Sequence, residues 1–443
     1  MTLAIVLQFV VVLAAIWMGA RYSGVGLGLW GAVGLLVLVV AFGINPTSPP
    51  IDVMLIILAV IMAASVMDAA GGIDFLVRIA ERIIRANPKY VTIVAPLTTW
   101  SFTFVAGTGH IVYPLLPVIY ETAHQSGIRP ERPMAVATIA SQQAITASPV
   151  AAATAAMIGL FTEKGLTDWG LPQILMVCVP ATLVGVLAAA IVSMFIGKDL
   201  KDDPEYQRRL AAGEVPAPKP PEARPPLKAA AKASAFIFLA GVALVVLFGF
   251  FPALRTLPGA KSALAMPIVI EIVMMSVAAA MLLVTKVNVD EVPKTPTLRA
   301  GVVAVIGIFG LAWLGDSFIA ANKDVIVPAI GKWAEQAPWT FAFGLFFASV
   351  LLYSQAATTR ALMPLGMALG IPPQFLIAMF PSVNGYFFIP TYGSLIAAIN
   401  FDLSGTTKIG KYVLNHSFMI PGLVATAGAV TTGLFLARIM FGG

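Results

Sequence analysis

The feature that most constrains this chain is its series of long apolar runs, at 3–20, 24–43, 174–196, 234–252, 264–285 and 412–437. About 20 apolar residues in a helix span a hydrocarbon core. Lipid offers backbone groups no partners, so such runs must satisfy their hydrogen bonds internally, as helices do. The expected fold class is therefore an all-α polytopic membrane protein. Composition agrees: 59% of the 443 residues are hydrophobic and 11% are charged, against roughly 25% charge in soluble domains. The first run has no basic residues before it and is expected to remain as a span, not to be cleaved as a leader. A single cysteine, Cys178, excludes an intramolecular disulfide and a CxxC metal site. The net charge of +6 would suit a nucleic acid, but the basic residues are scattered over loops, and orientation in lipid accounts for them. No nucleic-acid partner is expected, and membrane lipid is.

Orientation follows from where those residues fall. If the N-terminus lies outside and the loops alternate, twenty of the 27 Lys and Arg fall in inside loops: near Arg21, then 78–89, 124–133, 198–232, 286–299 and 402–411. The positive-inside rule favours that arrangement, with both termini periplasmic. The stretch 198–232, rich in charge, Pro and Ala, is expected to be a mobile cytoplasmic linker between two halves.

The halves repeat. Residues 88–115 lie over 338–365 without a gap, pairing Pro88 with Pro338, Ala106 with Ala356, Thr108 with Thr358, Pro114 with Pro364 and Leu115 with Leu365. Element order repeats as well. The first half, 1–197, reads as spans 3–20, 24–43 and 51–70, an interfacial helix 73–90, a hairpin 91–123, a broken span 133–160 and a span 171–196. The second, 233–443, reads as spans 234–252, 264–285 and 300–320, an interfacial helix 321–337, a hairpin 339–370, a broken span 374–398 and a span 412–437. An odd number of crossings per half gives the copies opposite orientations, an inverted repeat of the kind transporters use.

Within 73–90, Ile73, Leu76, Ile79, Ala80, Ile83 and Ile84 recur at helical spacing opposite Arg78, Glu81, Arg82 and Arg85, the pattern of a helix lying in the interface. Neither arm of 91–123 is long enough to cross alone, so the chain is expected to re-enter and turn back at Gly107, Thr108, Gly109 and His110. Glycines there permit the turn and the close approach of a ligand. Irregular backbone at membrane depth survives only against protein or a polar cavity. The second tip offers Ser354, Gln355, Thr358, Thr359 and Arg360. Polar, proline-broken stretches downstream offer Gln142, Thr146 and Ser148 in one half, and Asn384 and Thr391 in the other. Convergence of these four breaks near the midplane would build one substrate site, with helix N-termini aimed at an anion. Arg360 is an intramembrane cation suited to a carboxylate, and His110 is its counterpart for ligand contact or proton handling. Asp68, Glu271 and Asp316 are expected to cap helices or form buried pairs, and His416 to be structural.

The stretches "IRANPKYVTIVAP", "AGTGHIVYPLLPVIYE", "RPERPMA", "LLYSQAATTRALMP" and "FDLSGTTKIGKYVLNHSFMIPG" resemble the Dcu family of anaerobic C4-dicarboxylate transporters, from about residue 15 to 435. "AWLGDSF" and "DDPEYQRRLAAG" resemble its A type more than its B type. The resemblance implies exchange of fumarate, succinate, malate or aspartate across a bacterial inner membrane. It also implies the plan of the wider ion-transporter grouping: paired re-entrant hairpins, broken helices, elevator-type movement and a homodimer. The Ser-Asn-Thr hairpin motif of the sodium-coupled members is replaced here by "GTGH" and "YSQAAT". The alternatives are Na⁺- or H⁺-coupled symport of small organic anions, an anion channel, or an intramembrane hydrolase. No Ser–His or Asp–Asp arrangement favours the last. No cofactor or metal is expected.

Overall fold

A computed structural model describes residues 3–22, 24–215, 226–260, 262–352 and 354–442, and only the backbone of Ala20 and 326–336. Residues 216–225 of the linker and Tyr353 at the second tip lie outside the described residues. The described chain is helical, and no strands occur within it. Among the described residues, six helices are long and apolar enough to cross a membrane: Ile51–Ala69, Leu171–Ser193, Ala231–Phe250, Met266–Thr285, Pro296–Val325 and Met419–Phe441. Leu3–Tyr22 and Gly26–Phe42 are apolar as well.

Two groups of helices face each other. Leu3–Tyr22, Gly26–Phe42, Ile51–Ala69, Ala231–Phe250, Met266–Thr285 and the helix from Pro296 pack side by side. Glycine sets one of these crossings. A Cβ on Gly31 would meet the Gly310 carbonyl carbon at 2.5 Å, so the backbones approach as small-residue interfaces allow. Gly310 lies in a π-helical turn, Ile308–Ala312, where the ladder is already widened.

The second group holds the interrupted segments. Val91–Ala106 ends at Gly107, is followed by a 3₁₀ turn Gly109–Leu115, and returns as Leu116–Gln125. Phe341–Leu352 and Gln355–Ala368 form the corresponding pair. Both pairs begin on a Pro-led 3₁₀ turn, Pro88–Tyr90 and Pro338–Thr340. Their first arms differ, with 16 residues against 12. The ungapped register therefore slips at the tip: Thr108 caps one returning segment and Ser354 the other, while Thr358 lies a turn inside its helix. Glu131–Gln143 and Ala152–Glu163 flank the first break. Pro373–Met379, a 3₁₀ stretch Phe380–Phe387 and Gly393–Phe401 make the second.

Two expectations change, and one grouping is new. The helix expected at 321–337 is not separated from its span: Trp313–Gln336 continues the helical path from Pro296, because nothing between 320 and 327 breaks a helix. Its first-half counterpart, Gly72–Ala86, is separate, turned off by Gly71 at φ 85°. The linker is not wholly mobile. Leu200, Tyr206 and Val215 bury one another, and Pro204–Ala211 is a helix capped by Asp203. Arg129 pairs with Asp203, and Arg132 with Asp199 at 2.8 Å. Arg209 donates to the Ser404 carbonyl at 2.7 Å. Residues 199–214 thus bridge the loops at 129–132 and 402–407. Finally, Leu171–Ser193 and Met419–Phe441 belong with the interrupted segments. Trp100 donates to Thr182 at 3.1 Å, and Gln143 to Thr426 at 2.9 Å.

Candidate functional site

The two tips face one cavity of about 880 Å³, within the size range of small-molecule sites. From the first half come Gly107, Thr108, Gly109, His110, Tyr113 and Gln142; from the second come Ser354, Gln355, Ala356, Ala357, Thr391 and Tyr392. The opposite wall is Gly24, Leu27 and the face of the helix from Pro296 that carries Arg299, Val303 and Gly307, with Lys294 just before it. Among the described residues the lining contains no Asp or Glu.

Glycine is required at the first tip by position. Gly107 has φ 70°, and a Cβ there would lie 2.7 Å from the Val150 carbonyl oxygen. A Cβ on Gly109 would collide with the Gln142 amide, so the tip and the first break touch directly through backbone. Thr108 is extended and its hydroxyl accepts from the His110 amide at 3.3 Å. The His110 ring stacks on Tyr113, centroids 5.8 Å apart.

Ser354 is likewise extended, and its hydroxyl accepts from the Ala357 amide at 3.2 Å. The first amides of a helix have no intrahelical acceptor, so the start of Gln355–Ala368 presents donors and a partial positive charge to the cavity. Gln355 joins the halves: its Nε2 donates to Gln142 Oε1 at 2.8 Å and to Asn384 Oδ1 at 3.2 Å. Asn384 in turn donates to Gln143 Oε1 at 3.3 Å. The amide chain, from Gln142 through Gln355, Asn384 and Gln143 to Thr426, fixes the two tips relative to the breaks.

Of the sequence-derived candidates, Gly107, Thr108, Gly109, His110, Gln142, Ser354, Gln355 and Thr391 line the cavity. The others stand behind it. Thr358 and Thr359 hydroxyls bond back to the carbonyls of Ser354 and Gln355, at 2.8 and 2.7 Å. The Thr146 hydroxyl does the same to Gln143 at 2.9 Å, and the Ser148 hydroxyl accepts from the Val150 amide at 3.4 Å. Asn384 is buried in the amide chain. Arg360 is 2% exposed and is held by Glu163 at 2.7 Å and Asp316 at 3.3 Å. Its guanidinium pairs with these two carboxylates outside the cavity lining, while its Nε and Nη1 are buried without a hydrogen-bond partner among the described residues. Asp68 accepts from the Thr297 hydroxyl at 2.7 Å, and His416 binds the Phe388 carbonyl at 3.4 Å. Tyr113, Tyr392, Lys294 and Arg299 were not singled out from sequence; the positive flank of the span at 300 was the one available signal for the last two.

Comparison with known proteins places this geometry. The sequence model of a family described as "Anaerobic c4-dicarboxylate membrane transporter" matches residues 4–441. The chain is 42% identical over 437 residues to a C4-dicarboxylate transporter, DcuA, of Escherichia coli K12, covering 98% of this chain and 100% of the relative. It is 40% identical over 442 residues to DcuA of Wolinella succinogenes, covering 98% and 100%. To the anaerobic C4-dicarboxylate transporter DcuB of Escherichia coli O157:H7 it is 38% identical over 439 residues, covering 98% of each. Among solved structures it is similar to the YdaH transporter of Alcanivorax borkumensis. That similarity has a TM-score of 0.59 at 15% identity, covering 93% of this chain and 90% of that one. This last likeness speaks to the fold alone.

Proposed function

The chain belongs to the anaerobic C4-dicarboxylate membrane transporter family, and from that premise we propose that it exchanges four-carbon dicarboxylates held between the two tips. Fumarate, succinate, malate and aspartate form the substrate class. The observation that carries this reading is the lining of the cavity. Hydroxyls of Thr108 and Ser354, side-chain amides of Gln142 and Gln355, a helix N-terminus and two basic residues converge there without one carboxylate. Such a lining offers donors to an anion and no repulsion. Thr108 with Gly109 would hold one carboxylate, and Ser354 with Gln355 the other. The Gln142–Gln355 bond would open to release donors to the ligand.

A dianion is too costly to pass through hydrocarbon, so the site must change sides with its ligand enclosed. The interrupted segments pack with Leu171–Ser193 and Met419–Phe441 as one unit, a grouping that supports elevator-type movement against the remaining spans. In this reading 91–125 and 341–368 are re-entrant hairpins of an inverted repeat, one per half, in a homodimer in a bacterial inner membrane. Lys294 and Arg299 are exposed members of the lining, and the helix start that carries them is joined to the end of Ile51–Ala69 through Thr297 and Asp68, close to where Lys228 of the linker meets the Ala69 carbonyl. With the linker cytoplasmic and both termini periplasmic, these exposed basic residues fall on the inner side, which supports reading the cavity as inward-facing.

Counterflow in proteoliposomes tests the proposal. Labelled succinate should accumulate transiently only when unlabelled dicarboxylate is inside. Equal flux into empty vesicles would refute exchange, and chemical alteration of the succinate would refute transport without catalysis.

A further inference from the structure

We propose that Arg299 is a stationary recruiting cation that serves substrate arriving from the linker side and not from the other; this deepens the dicarboxylate reading above and rests on it. Lys294 and Arg299 both line the cavity and are exposed, and they differ. Lys294 is tied to Glu291 at 2.8 Å. Arg299, exposed in the first turn of the helix Pro296–Gly307, has no acidic partner among the described residues. Asp68, at the end of Ile51–Ala69, accepts from the Thr297 hydroxyl and forms no ion pair with Arg299. An unneutralised guanidinium at the rim of a cavity without carboxylates retains its field for an incoming anion. Because it stays hydrated, it loses little when the anion passes. Its planar fork suits a carboxylate.

Placement on the fold makes this residue side-specific. Arg299 is carried by the helix that packs on Ile51–Ala69 and Gly26–Phe42, not by any segment bearing Thr108, Gln142, Ser354 or Gln355. When the tips move toward the opposite side, Arg299 stays behind. It therefore raises the encounter rate and weak affinity at one face only, whereas a substrate ligand on a tip acts from both faces.

The test uses inside-out and right-side-out membrane vesicles and measures the concentration dependence of succinate exchange from each face. Arg299→Gln should raise KM on the linker face roughly tenfold, the low end of electrostatic steering, as suits a single charge. KM on the opposite face should stay within about twofold, and the rise should shrink at high salt, where the field is screened. Arg299→Lys keeps the charge and should stay near wild type, which separates the charge effect from a folding defect. An equal rise at both faces would overturn the proposal by making Arg299 part of the moving site. No change at the linker face would overturn it by leaving Arg299 a lipid-headgroup anchor. A wild-type protein that moves no dicarboxylate at either face would refute the functional reading itself.

Discussion

Replacing Arg360 by methionine should destabilise the protein without changing which anions it prefers. The side chain is 2% exposed, with Asp316 15% and Glu163 29% exposed around it. A unit-charge pair at about 4 Å gains roughly 4 kcal/mol at an effective dielectric near 20. Desolvating the arginine offsets much of that gain, so the pair itself adds little. Removing one partner is different, because it strands the other and costs about 3–5 kcal/mol. Glu163 is nearly a third exposed and can rehydrate, so its share is screened. Asp316, on the enclosed helix, bears most of the penalty. Arg360→Met should therefore lower the apparent melting temperature in detergent by roughly 5–10 °C. Adding Asp316→Asn should restore most of it, since the one carboxylate then left without a partner, Glu163, is 29% exposed and can rehydrate. In competition assays, the ratio of succinate to a monocarboxylate of equal length should stay as in wild type. Unchanged stability together with a loss confined to the dianion would refute this reasoning and return Arg360 to the substrate site.

Thr108→Ala and Gln355→Ala should each weaken succinate binding by about 1–3 kcal/mol, the cost of a lost buried polar contact, with protein yield preserved; isothermal titration of the purified protein measures it, and unchanged affinity in both counts against the two-tip site. A Cβ on Gly315 would lie 3.9 Å from the Ala361 Cα, near enough for a disulfide. Gly315→Cys with Ala361→Cys, in a chain whose Cys178 is replaced, should stop exchange on oxidation and recover on reduction; full activity while cross-linked would exclude the elevator. At the linker, burial pushes the Asp203 carboxyl up, but the Tyr206 amide and the Arg129 guanidinium outweigh it and hold it below its usual 3.8. Docking stability from this group is thus present above pH 3.8 and lost as pH falls through the lower docked value. Asp203→Asn should speed tryptic cleavage after Arg208 at neutral pH, while wild type reaches a comparable undocking only below pH 3.8, read from a fluorophore on Leu210→Cys.

The cavity-forming part of the site was legible because its chemistry is local. Glycine, threonine and histidine between apolar runs at 104–121 make sense only where a helix stops, and both tip caps, Thr108 and Ser354, lie within the quoted motifs. The register at the second tip was not legible, because a first arm of 12 residues against 16 shifts the cap without disturbing Pro338 or Pro364. That Arg360 pairs with both Glu163 and Asp316 was not legible, because the two carboxylates come from distant segments and sequence spacing carries no sign of the grouping. Arg299 was counted as a topological charge; that it lines the cavity depends on how Pro296–Gly307 is turned against Ile51–Ala69. The docked linker was missed for a similar reason: its proline and charge content reads as solvated chain, while Tyr206 and Asp203 find their partners only in the folded protein.

The central claim is that one dicarboxylate lies between the two tips, and a structure of the protein with fumarate bound tests it most directly. The account predicts the ligand in the 880 Å³ cavity, one carboxylate at Thr108 and Gly109, the other at Ser354 and Gln355, with the Gln142–Gln355 hydrogen bond broken. Fumarate bound at Arg360 with Asp316 displaced, or at a site touching neither tip, would contradict it.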